Sequence, residues 1–99
     1  MSKRKFSKRV AIKGTVVEVV TISGLGEIVG KSRTTLLRYI RTGVLPEAPF
    51  TLNGYRYYSV ELARKLKPII QRLPLNTKPS AEDLVQINSL FKEEIARYA

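Results

Sequence analysis

Apolar positions change spacing along this chain, and each spacing predicts a different element. Val16, Val17, Val19 and Val20 flank Glu18 in a β-branched run, which predicts a strand over Thr15–Val20. Lys13-Gly14 is placed to turn a Val10–Ile12 strand into it. Leu25, Ile28 and Val29 then follow helical spacing, predicting a helix over Gly24–Val29 capped by Ser23. Gly24 and Gly26 weaken that helix by about 1 kcal/mol each relative to alanine, so it depends on tertiary packing. Gly30 ends it with a left-handed residue, and Lys31 completes the turn. Ser32 caps a second helix from Arg33 to Thr42, terminated by Gly43.

Pro46 and Pro49 keep the next segment extended. Asn53-Gly54 then sits between Phe50-Thr51-Leu52 and Tyr55-Arg56-Tyr57-Tyr58, a strong hairpin signal. A two-residue loop pairs Leu52 with Tyr55, Thr51 with Arg56 and Phe50 with Tyr57. Phe50 and Tyr57 then face the core, with Thr51 and Arg56 on the other side. Ser59 caps a third helix whose apolar positions are Leu62, Leu66, Ile69 and Leu73. The pattern runs through Pro68, predicting one helix kinked near Lys67 or two short ones meeting there. Pro74 to Pro79 reads as a linker. Ser80 with Asp83 resembles a capping box for a last amphipathic helix, with Leu84, Ile87, Phe91, Ile95 and Tyr98 on one stripe. That stripe needs cover, either from the same chain or from a homo-oligomer or partner protein.

This order predicts an α+β, mainly helical fold: a winged helix-turn-helix with a two-stranded wing, an N-terminal β segment and a C-terminal amphipathic helix. The expected organisation is a basic arm over 1–14, the winged domain over 15–73, a linker over 74–79 and the helix over 80–99.

Charge sharpens the picture. The chain carries a net charge of +10. Residues 1–72 hold 15 basic and four acidic side chains, whereas residues 73–99 hold three and four. The field is therefore positive over the predicted winged domain, which suits a polyanion such as DNA. There is no cysteine and no histidine, which removes disulfides, thiolate metal sites and the commonest general base. No Gly-rich phosphate loop or clustered carboxylate pair is visible, and Glu82-Asp83 and Glu93-Glu94 read as capping and solubility charges. No catalytic residue, metal ligand or cofactor is expected. No run reaches membrane-spanning length and no signal-length apolar segment follows the basic start. The expected partner is double-stranded DNA. The expected location is the cytoplasm and nucleoid of a prokaryotic cell or phage-infected host.

The block from Thr21 to about Leu66 resembles the MerR and excisionase-like winged-helix DNA-binding domains. The residues that carry the likeness are Thr21 to Gly30, Ser32 with Thr35-Leu36, Gly43-Val44-Leu45-Pro46 and Gly54-Tyr55-Arg56-Tyr57-Tyr58-Ser59. MerR regulators usually read Thr-Leu-Arg-Tyr-Tyr-Glu in the recognition helix. This chain reads Thr35-Leu36-Leu37-Arg38-Tyr39-Ile40, so Leu37 stands at the arginine position. Only 26 residues follow Leu73, too few for the long dimerisation helix and effector domain of those regulators. The likeness is closer to short excisionase-type and phage-type members. It implies a small transcriptional regulator or architectural factor, with a DNA-packaging (small terminase-type) or DNA-bridging subunit as the alternative.

At 100° per residue, Leu36, Leu37 and Ile40 fall on one side of the second helix, with Thr34, Arg38 and Arg41 on the other. Arg33 lies nearer the apolar side but in the first turn, where it can reach out. Arginine can pair bidentately with guanine, and threonine can meet a thymine methyl or a phosphate. The helix N-terminus, where Ser32 and Thr35 stand, itself favours a phosphate through its free N–H groups. Tyr39 lies at the edge of the faces, open to packing or to backbone contact. In the wing, Arg56 is the phosphate or minor-groove candidate, supported by Asn53 and Lys31, while Tyr55, Tyr57 and Tyr58 are expected to pack. The arm residues Lys3, Arg4, Lys5, Lys8 and Arg9 could lie in a minor groove or stay disordered.

Overall fold

Two hairpins with the same turn build the sheet. The computed structural model describes residues 7–74 and 78–98. Strands β1 (Ser7–Ile12) and β2 (Thr15–Val20) join through Lys13-Gly14, and β3 (Phe50–Leu52) and β4 (Tyr55–Ser59) through Asn53-Gly54. In both turns the two residues take φ near 52° and 82°, the left-handed pair that matches the natural twist of a hairpin. The wing register is Phe50↔Tyr57, Thr51↔Arg56 and Leu52↔Tyr55, as the alternation predicts.

The two hairpins are joined by a short contact between β2 and β4, Val19↔Ser59 and Val20↔Tyr58. The result is one four-stranded antiparallel sheet in the order β1-β2-β4-β3. Its alternation serves two cores. Val17, Val19, Phe50 and Tyr57 cluster together, with Val10, Ile12 and Leu52 packed against them. Val20 and Tyr58 join the helical core instead.

The span 7–12 of the basic arm expected over 1–14 is a strand. Lys8 and Arg9 stand on β1, opposite Val19 and Glu18. Pairing along β1 satisfies the backbone, and Val10 and Ile12 gain apolar cover, so the segment is a strand despite its charge. Lys8 Nζ lies 4.7 Å from the Tyr57 ring centroid, a cation–π contact. Lys3, Arg4 and Lys5 lie outside the described residues.

The helices are α1 (Ile22–Val29), α2 (Arg33–Arg41), α3 (Val60–Gln71) and α4 (Ala81–Arg97). Helix α1 starts earlier than expected: Thr21 is the N-cap residue, without a side-chain cap bond, and Ser23 lies inside the helix. Ser59 caps α3 by accepting from the Leu62 N–H at 3.0 Å. Helix α3 runs unbroken through Pro68, whose side is exposed, and buries Leu62, Ala63, Leu66, Ile69 and Ile70.

Helix α4 folds back on the same chain. Ile87 and Phe91 are buried in the core that holds Leu25, Leu36 and Leu66. The Phe91 ring stands edge-on to Tyr58 at 6.3 Å, and Tyr98 edge-on to Phe50 at 5.4 Å. Ser80 caps α4 by accepting from the Asp83 N–H, and the Asp83 carboxylate receives Arg72 at 2.8 Å. Glu94, expected on the surface, is buried and accepts from the Ser59 hydroxyl. Of the apolar stripe, Ile95 remains exposed and Leu84 half-buried. The C-terminal helix thus completes the core of the winged unit and is no separate module.

Candidate nucleic-acid interface

The helix-turn-helix depends on one close approach. A Cβ built on Gly26 would stand 2.5 Å from the Lys31 carbonyl oxygen, so only glycine lets α1 meet the turn. Gly30, at φ 76°, closes α1, its N–H bonding the Gly26 carbonyl at 2.8 Å. Gly26, a weak helix former in isolation, is required for the angle between the two helices. Leu25 and Val29 of α1 and Leu36 of α2 are fully buried and lock that angle. Ser32 then starts α2, accepting from the Thr35 N–H at 3.1 Å and donating to Thr35 Oγ1 at 2.9 Å. Both hydroxyls take part in the cap, Thr35 Oγ1 as an acceptor.

The faces of α2 differ from the expected ones. Leu36 and Tyr39 are buried and Ile40 half-buried, while Leu37 is 40% exposed. Tyr39, only 5% exposed, belongs to the core and is corrected from a candidate contact to a packing residue. Its hydroxyl is buried with no hydrogen-bond partner among the described residues. Burial raises the Tyr39 phenol above its ordinary value, partly opposed by Arg38.

The exposed arc of α2 carries Arg33, Thr34, Leu37, Arg38 and Arg41. Among the described residues, none of these three arginines is paired with a carboxylate. Helix α2 has no acidic residue in its first turn. The arc is therefore a cationic ridge with nothing of its own to neutralise it. Thr42 closes the helix, its hydroxyl donating to the Arg38 carbonyl at 2.9 Å.

The wing stands beside this ridge. A groove of about 450 Å³ separates them, with Arg33, Leu37 and Ile40 on the helix side and Gly54, Tyr55 and Arg56 on the wing side. Asn53 is exposed in the turn, and Lys31 is half-buried before α2. Arg56 is exposed, opposite Thr51, but forms an ion pair with Glu47. Glu47 is a partner that sequence reasoning missed, because the two are joined only by the path of the chain after Pro46. Tyr55, expected to pack, is 66% exposed: it shares the sheet face of Tyr57 but stands at the wing tip, next to the Asn53-Gly54 turn. Tyr58 packs fully, and burial pushes its phenol up to about 12.

Fold and site together define a winged helix-turn-helix DNA-binding domain: a capped second helix with a bare cationic face, flanked by a hairpin. The sequence model of the MerR HTH family of regulatory proteins matches residues 20–76. That is more than half of the chain, which therefore belongs to the MerR HTH family. The matched span runs from the end of β2 through α3; β1, most of β2 and α4 lie outside it. Neither the comparison with curated proteins nor that with solved structures gave a match. No helix among the described residues is long and apolar enough to cross a membrane.

Proposed function

We propose that this chain binds double-stranded DNA in a sequence-specific manner, as a small transcriptional regulator or an excisionase-like architectural factor. The observation that carries the reading is the unpaired ridge of Arg33, Arg38 and Arg41 on the exposed arc of α2, beside the wing. A major groove admits an α-helix, and arginine is the side chain that reads guanine there. Arg56 and Asn53 serve the backbone beside it, and the N-terminal basic residues add phosphate neutralisation. Such a protein works where its DNA is, in the cytoplasm and on the nucleoid of a prokaryotic cell or phage-infected host.

The alternative, a DNA-packaging or other bridging subunit, drew on an uncovered C-terminal stripe. Burial of Ile87 and Phe91 withdraws that support. A homo-oligomer formed through α4 would have to use Val85 and Ile95, the large apolar side chains this helix leaves exposed.

The test is selection of duplex fragments by the purified protein, followed by sequencing. A compact enriched motif is expected, with repeated half-sites if several copies bind together. Binding without enrichment would leave a general architectural role and reject the sequence-specific one.

A further inference from the structure

Leu37 is out of place on a polar face. With the helix turning 100° per residue, Leu36 and Tyr39 mark the buried side, and the exposed arc runs from Arg33 through Leu37, Arg41 and Thr34 to Arg38. Leu37 thus lies within the arc, between arginines, and not at its edge. It is 40% exposed and lines the groove whose far wall carries Tyr55, itself 66% exposed. No residue of α4 lines that groove, so the helix that completes the core does not cover it.

An exposed leucine alone is ordinary on a protein surface. Here the apolar spot shares its groove with Arg33 and Arg56, the latter paired with Glu47, and is followed one turn along the exposed arc by Arg41, so a partner that is anionic beside an apolar group fits it. Duplex DNA meets both conditions in its major groove. Phosphates form the rim, and the thymine C5-methyl is the apolar group that a base edge presents there. Ile95, another exposed large apolar residue, lines a second groove in which, among the described residues, Lys13 is the one charged lining residue and no arginine takes part.

We infer that Leu37 is a specificity-determining residue that reads thymine through its 5-methyl group, while the flanking arginines hold the phosphates and guanines. This rests on the DNA-binding reading above and adds a base identity to it. The arginines alone select guanine; the leucine adds a preference for thymine at a neighbouring position.

The test uses the full chain and duplexes of its selected site in which each thymine is replaced singly by uracil. That change removes one methyl and leaves base pairing and phosphates intact. Loss of one buried methyl-sized contact corresponds to binding about fourfold weaker. At one or two positions the unaltered protein should show that loss. Leu37→Ala should bind the thymine and uracil duplexes equally, and Leu37→Met should keep the discrimination. The inference is overturned if no uracil position weakens binding, if Leu37→Ala still discriminates, or if the selected site requires no thymine. Absence of binding to any duplex at low salt overturns the DNA-binding reading itself, a result distinct from duplex binding that ignores the methyl.

Discussion

The Ser59 hydroxyl serves both ends of the molecule: it accepts from the Leu62 N–H at the start of α3 and donates to the buried Glu94 carboxyl of α4. One side chain thus caps the helix that carries the core and ties down the helix that completes it. The carboxyl also lies at the N-terminal end of α3, where the helix dipole favours negative charge. Glu94→Ala should cost about 1–3 kcal/mol, because the hydroxyl loses a buried acceptor. Glu94→Gln, which keeps an acceptor, should cost less. Ser59→Ala should cost at least as much as Glu94→Ala, since it removes the cap as well. Thermal or urea unfolding of the three variants checks the order. A chain ending at Leu75 loses Ile87 and Phe91 from the core and should not unfold cooperatively.

Gly26 links helix geometry to DNA binding. Its missing Cβ leaves room for the Lys31 carbonyl, so Gly26→Ala must push α1 away from the turn. The variant should lose about 1–3 kcal/mol of stability from overpacking, despite alanine's higher helix propensity. If Gly26→Ala is stabilising in urea titration, the close approach does not set the angle of α2.

Tyr39 hides a polar atom without a partner among the described residues. Replacing it by phenylalanine removes a buried, unpaired hydroxyl and keeps the ring. Tyr39→Phe should be neutral or stabilising by up to about 1 kcal/mol, and duplex affinity should not change. A loss of affinity with intact stability would return Tyr39 to the interface.

Stability should be nearly flat between pH 6 and 9, since the chain has no histidine. Above that range it should fall. The Tyr58 phenol ionises near its ordinary 10.0 when unfolded and only at about 12 when buried. The folded state therefore holds a proton that the unfolded state releases. The stability this contributes is complete below pH 10 and is lost as pH rises through about 12, amounting to about 2–3 kcal/mol. Tyr58→Phe should shallow that alkaline decline in pH-dependent unfolding, leaving the smaller part due to Tyr39, which burial shifts the same way.

The wing was legible because Asn53-Gly54 and the alternation around it fix both turn and register locally. The caps at Ser32, Ser59 and Ser80 were legible for the same reason: each depends on residues three positions apart. The faces of α2 were not, because stripes of 36, 37 and 40 or of 36, 39 and 40 both satisfy helical spacing. Only the packing against α1 and the shared helical core selects Tyr39 over Leu37. The β2–β4 contact rests on two residue pairs between segments far apart in sequence, which no local pattern announces. Glu94 likewise looks like any surface glutamate until the docking of α4 brings it to Ser59.

Arg56 and Arg38 should fail differently when removed. Arg56 already holds a carboxylate, Glu47, and both side chains are more than half exposed. Such a pair is worth about 0–1 kcal/mol, so a phosphate can displace Glu47 at little cost. Neutralising about 5–7 phosphates predicts a log–log salt slope of about −4.5 to −6 for the unaltered protein. Arg56→Ala should weaken all sequences alike and lower that slope by about one. Glu47→Gln should strengthen binding to all sequences, and the gain should shrink in the Arg56→Ala background. Arg38→Ala, on the unpaired ridge, should instead relax preference at one or two base positions. Fluorescence titrations across salt, on the selected site and on a scrambled duplex, separate these outcomes. Equal sequence profiles and equal slopes for Arg38→Ala and Arg56→Ala would show that α2 and the wing do not divide base and backbone contact between them.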